Sequence, residues 1–295
     1  MALSALSTRT SSAPRGSAGH SPEKHYPLPY WLSAALTILL VAASAGGLFI
    51  PGLYRDPPDW IAQTRATDLV TLAVTVPGLA ASMVLAARGS LAAQVTWLGM
   101  LGYSLYMYMI YAFDVAFNPL FLVYVAALAL SMWSLVALLT RIDPEALRAR
   151  RGPGLPVRTI ALYLLLVAAL FFMAWMKDIV PAILGNTTPT SLKGMQVPTN
   201  PVEVLDLSML LPFSALSGIW LWRGRPWGHL LAGIALTTMT IVGVSIVADM
   251  VFEHLTDPKL SLTMAPVFAA ITLLGLGLLV AYLRNFQPRP LRAPR

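Results

Sequence analysis

The stretch Gly102–Ser131, GYSLYMYMIYAFDVAFNPLFLVYVAALALS, decides the fold. It joins two long apolar runs through a turn that carries Asp114 and the pair Asn118-Pro119. Tyr103, Tyr106, Tyr108 and Tyr111 lead up to that turn. At roughly 100° per residue on a helix, Tyr103, Tyr106 and Asp114 share one face, with Tyr111 at its edge. Tyrosines near a helix end beside a polar turn fit a membrane-water interface, where the ring is apolar and the hydroxyl stays wet. The simplest reading is therefore an aromatic belt. A sharper one is that several of these hydroxyls line a polar site at the membrane surface.

Composition extends the membrane reading to the whole chain. Of 295 residues, 57% are hydrophobic and 11% are charged, against about a quarter charged in soluble domains. Mean hydropathy is +0.70. The absence of cysteine excludes disulfides, thiolate metal sites and cysteine nucleophiles. The net charge of +7 follows the pattern of loops instead of forming a nucleic-acid-binding motif.

Residues 1–29 are rich in Ser, Ala, Pro and Gly and are expected to form a disordered cytoplasmic tail. Eight apolar runs follow, near 30–50, 69–87, 91–112, 119–140, 159–176, 204–222, 229–252 and 264–283, each roughly long enough to cross about 30 Å of hydrocarbon. Residues 286–295 then form a basic cytoplasmic tail. With both ends cytoplasmic, only Arg55, Arg65, Lys177, Lys193 and Lys259 of the 20 Lys and Arg residues lie outside. That asymmetry is the orienting signal for membrane helices. The expectation is an all-α, polytopic membrane protein of eight transmembrane helices, in one domain spanning 30–285.

A shift of 135 residues lays 68–114 over 203–249 without a gap. Asp68 falls on Glu203, Pro77 on Pro212, Ser82 on Ser217, Arg88-Gly89 on Arg223-Gly224, and Asp114 on Asp249. Both hairpins run in the same sense, so the relation would be a parallel duplication of four helices plus four about an axis along the membrane normal. Pro77 and Pro212 each remove a hydrogen bond in mid-span and should bend the helix there.

Acidic residues concentrate at the side opposite the arginines. Asp249 and Asp114 are placed near helix C-terminal ends, where the macrodipole disfavours a carboxylate, so each needs a donor, a cation or a proton. Asp206 lies near the start of the sixth span, where an acid can simply satisfy the dipole. The expected site is an outer mouth ringed by Asp68, Asp114, Glu203, Asp206 and Asp249. Tyr103, Tyr106, Tyr111, Asn118 and Asn200 stand nearby, and Asp114 and Asp249 are expected to act together.

Several chemistries find no support. His229 and His254 lie at opposite ends of one span and cannot form a haem pair. There is no HExxH run, and Ile246-Val247-Ala248-Asp249 lacks the Gly-x-Gly-Asp of intramembrane aspartyl proteases. No cofactor or resident metal is expected. The leading functional reading is a transporter or permease for a small solute, cation- or proton-coupled. The alternatives are a non-catalytic assembly or sensory subunit, and a membrane enzyme acting on a lipid or quinone at the outer leaflet. Whether the chain is an enzyme, and its oligomeric state, are left open. Gly102–Val125 and PTNPVEVLDLSMLLP (Pro198–Pro212) resemble segments of a family of uncharacterised bacterial multi-span membrane proteins. The resemblance covers roughly residues 30–285 and implies a bacterial inner-membrane location but no activity. The expected partners are the lipid bilayer and a small solute or cation.

Overall fold

A computed structural model of the chain describes residues 27–193 and 197–286. The tails expected at 1–29 and 286–295 fall largely outside the described residues. Pro27–Pro29, however, already belong to helix α1 (Pro27–Phe49).

Helix α2 (Pro58–Val70) runs without a break through a π-helical turn at Thr71–Thr75 into α3 (Val76–Ala87). A tight turn leads to α4 (Leu91–Phe113), and α5 (Phe121–Leu139) follows the Asn118-Pro119 corner. The short α6 (Pro144–Ala149) precedes α7 (Val157–Leu184). The short α8 (Pro201–Leu205), a second π turn at Asp206–Leu210 and α9 (Leu211–Trp222) make one further rod. The chain closes with α10 (Pro226–Thr256) and α11 (Ala265–Arg284). Helix is the regular structure throughout, and no named strand occurs among the described residues.

Among the described residues, seven helical rods are long and apolar enough to cross a membrane: Pro27–Phe49, Pro58–Ala87, Phe121–Leu139, Val157–Leu184, Pro201–Trp222, Pro226–Thr256 and Ala265–Arg284. The expected third span, 91–112, is the exception. Its helix α4 has 23 residues, about 34 Å at 1.5 Å per residue. Gln94, Thr96, Ser104 and four tyrosines dilute its apolar character, and its side chains are largely buried. Most other rods exceed their expected bounds. Pro58, Pro201 and Pro226 begin helices where a missing N–H costs nothing, adding polar turns that pack on protein.

The two π turns have a common cause. A proline ring collides with the carbonyl four residues earlier, here Ala73 for Pro77 and Ser208 for Pro212. Widening that turn relieves the clash, and each wide turn contains the offending carbonyl. The two wide turns and the two glycine turns are 135 residues apart. Gly89 has φ +85° and Gly224 φ +65°, a conformation that glycine adopts without strain.

Helices α4 and α10 form the centre. Thr238 Oγ1 donates to the Gly99 carbonyl at 3.0 Å, and Tyr103 meets Ser245 Oγ at 2.7 Å. Around this pair, α1 packs closely along α5, while α7 packs along α9. The core is continuous, from Leu36 and Leu40 through Trp97 and Leu101 to Leu236 and Tyr282. The belt reading of the tyrosines is corrected: Tyr103, Tyr106, Tyr108 and Tyr111 are all buried inside the bundle. Polar partners for three of their hydroxyls explain why they turn inward and not towards a lipid headgroup region.

Candidate functional site

Towards the end of the bundle away from the arginine-rich turns, α2, α4, α7, the α8–α9 rod, α10 and α11 line a cavity of about 370 Å³. Asp206, Asp249 and Glu253 all line it. Tyr106 Oη donates to Asp206 Oδ1 and Trp175 Nε1 to Asp206 Oδ2, both at 2.9 Å. Asp206 opens the π turn, so the widened turn before Pro212 sets its direction towards α4 and α7. Thr67 Oγ1 lies 3.3 Å from Asp249 Oδ1, a longer contact, and Gln63 Nε2 donates to Glu253 Oε1. Among the described residues no Lys or Arg lines this cavity. The donors are hydroxyl, amide and indole groups, so no counter-charge comes from the lining.

The ten expected site residues do not all come together. Asp206, Asp249, Tyr106, Tyr111 and Asn200 line the cavity. Asn200 also caps α8, its Oδ1 accepting from Val202 N at 3.0 Å. Tyr103 sits beneath, bonded to Ser245.

Asp68 occupies a sealed pocket beside the cavity, fully buried. It accepts from Tyr54 Oη at 2.6 Å and Tyr111 Oη at 3.0 Å. Tyr111 Oη also reaches the Thr64 carbonyl at 3.1 Å, so this tyrosine borders both chambers. The approach requires Gly47 on α1, because a Cβ there would overlap Asp68 and the Tyr54 hydroxyl. Burial and the nearby Asp68 charge raise the Tyr54 hydroxyl well above the usual phenol range.

Asp114, Asn118 and Glu203 do not line the cavity. Asn118 organises the α4–α5 corner, its Oδ1 accepting from Leu120 N at 2.9 Å. Glu203 is held by Ser191. Asp114 ends α4, half-buried, with burial and the Asp56 charge raising its carboxyl to about 6. Asp249 therefore shares its cavity with Asp206 and Glu253 and not with Asp114. Helix length is the reason: α10 runs two turns past Asp249, whereas α4 stops at Phe113.

Glu253 and Trp175 were not among the expected site residues, although both carried a signal. Glu253 lies four residues after Asp249 on the same helix face. Trp175 is the last of Tyr163, Val167, Phe171 and Trp175, a stripe at every fourth position of α7, all of which face the cavity. No three acidic or histidine side chains gather in a metal-holding cluster among the described residues. Comparison with family models, curated proteins and solved structures finds no match to this chain.

Proposed function

We propose that this integral membrane protein is a permease that admits a small cationic solute, or a solute together with a cation or proton, into the α2–α4–α7–α10–α11 cavity. In this reading α4 is an eighth span carried in the interior, both ends are cytoplasmic, and the cavity opens to the outer face of a bacterial inner membrane. The arginine asymmetry supports that orientation. The matching π turns and glycine turns support a parallel duplication of two four-helix halves.

One observation carries the functional reading: three carboxylates, Asp206, Asp249 and Glu253, share a cavity whose lining supplies no positive side chain among the described residues. Intramembrane carboxylates are costly to insert and cluster on ion and substrate paths. The test is electrogenic uptake in proteoliposomes, screened against primary, quaternary and guanidinium cations with and without a proton gradient. Currents from one such class, lost in Asp206→Asn with Asp249→Asn, are expected. Solute-independent silence of the wild type, with correctly oriented folded protein, overturns the reading.

A further inference from the structure

The cavity is polar on one side and apolar on the other. Gln63, Thr64 and Thr67 of α2 and Asp249 and Glu253 of α10 face Val167 and Phe171 of α7 and Phe268 and Ile271 of α11. The apolar side coincides with a weak seam in the bundle. Helix α1 is packed closely along α5, yet α7 and α11 lack close backbone packing along their length. They touch through side chains, Tyr163 Oη donating to the Ile271 carbonyl at 3.2 Å and the Phe171 and Phe268 rings standing 5.9 Å apart between centroids. Both rings are only partly buried, and their neighbours Leu166, Leu170, Met173, Val267 and Leu274 are exposed on the outer surface of the bundle. In a bilayer that surface faces acyl chains.

The 135-residue register contrasts the two halves at one position. Where α4 places the buried ring of Tyr108, packed on Tyr111 and Tyr124, the position 135 residues on is Gly243, which lines the cavity. A glycine is needed there because a Cβ would overlap Thr272 of α11. One half fills this register with a tyrosine ring, and the other uses a glycine that lets α11 approach α10 closely.

We infer that the cavity binds an amphipathic organic cation, an alkyl ammonium, that enters sideways from the bilayer between α7 and α11 past the Phe171–Phe268 pair. The ammonium sits against Asp206, Asp249 and Glu253, with the Trp60 and Trp175 rings available for cation–π contact. The alkyl chain lies against Val167, Phe171, Phe268 and Ile271 and leads back to the seam. A phosphate-bearing amine headgroup is disfavoured, because among the described residues no Lys or Arg lines the cavity to receive it. This inference rests on the cavity being a solute site, as proposed above.

The test uses the full chain in nanodiscs, with partitioning into protein-free nanodiscs subtracted. Radiolabelled dodecyltrimethylammonium is expected to bind about ten-fold more tightly than tetramethylammonium, or better, the gain that burial of about two methylenes already gives. Dodecyl sulfate is expected not to compete. Asp206→Asn with Asp249→Asn is expected to weaken binding by about ten-fold or more. Leu170→Trp with Val267→Trp, exposed beside the seam and off the cavity lining, is expected to slow association and dissociation together by about ten-fold, leaving Kd within about two-fold. Equal binding of tetramethylammonium overturns the sideways route while sparing the permease reading. Failure of both cations to bind removes both. Displacement of the probe by phosphatidylethanolamine in the disc overturns the choice of a phosphate-free cation. The comparison of probes is made on the wild type, so it stands even if the aromatic variants do not fold.

Discussion

Gly47→Ala tests the sealed Asp68 pocket, and its sign is informative before its size. Gly47 lies inside α1, so with open space around it the change would stabilise the helix by about 1 kcal/mol. The new Cβ instead overlaps the Asp68 carboxylate and the Tyr54 hydroxyl. Making room breaks the 2.6 Å Tyr54–Asp68 bond, a charge-assisted contact of about 1.5–3 kcal/mol. Overpacking adds about 1–3 kcal/mol. After the helix gain is subtracted, the net loss is about 1.5–5 kcal/mol, or roughly 2–8 °C in the melting temperature of a chain this size. Intrinsic tryptophan fluorescence during heating in detergent reads this directly. Tyr54→Phe removes the same bond alone, at about 1.5–3 kcal/mol. Because both changes delete one shared interaction, the double variant should cost less than their sum by about 1.5–3 kcal/mol. Strict additivity, or a stabilising Gly47→Ala, refutes the idea that Asp68 is tethered to Tyr54 across a gap only glycine permits.

Further outcomes are expected elsewhere in the molecule. Asp114 has a folded-state pKa of about 6, above the ordinary 3.8 of an aspartate, so the stability it contributes is full below pH 4 and is lost as pH rises through 6. Asp114→Asn should flatten the melting profile over that window by about 1 kcal/mol after allowance for partial exposure, and parallel profiles would rule this out. Pro212→Ala should close the π turn to a regular helix, raising stability by up to about 3 kcal/mol while swinging Asp206 away from Tyr106 and Trp175 and weakening cation binding. Pro77→Ala, remote from the three cavity carboxylates, should raise stability with binding intact; matched loss of binding in both would contradict the assignment of the site to Asp206. A single cysteine at Ser191 should react with an impermeant maleimide in intact cells and one at Ala146 only after lysis, and the reverse pattern would invert the proposed orientation.

The helical hairpins are legible in the sequence because long apolar runs and arginine-bearing turns record the membrane directly. Pro77 and Pro212 signal interrupted helices, and the structure meets that signal with π turns. The tyrosines of α4 are harder to read. A phenol is equally at home in a headgroup region or against a buried carboxylate, and only the partner decides. That partner is Asp68 for Tyr111 and Asp206 for Tyr106, remote in sequence in each case. Periodicity assigns Asp114 and Asp249 equivalent positions, but it carries no information on how far each helix continues, and the extra turns of α10 separate them. The cavity itself is the least legible feature. It lies among segments remote in sequence, where α7 and α11 meet through side chains and not along their backbones, and such spacing leaves no local pattern.

The most polar of the long helices is also among the most enclosed, and this bears on how the protein is made. Helix α4 carries Gln94, Thr96, Ser104 and four tyrosines, and it falls short of the seven rods apolar enough to cross unaided. During synthesis it meets the translocation channel right after α3, to which the Arg88-Gly89 turn ties it. Such a segment gains little from lipid alone, so on the eight-span reading it enters as one half of a hairpin with α3 and waits for protein to replace lipid around its hydroxyls. Several of those partners, Ser245 on α10 and Asp206 before α9, are translated more than ninety residues later. That reading orders biogenesis: the early helices can be threaded first, but α4 reaches its final surroundings only when α10 and the rod before α9 arrive.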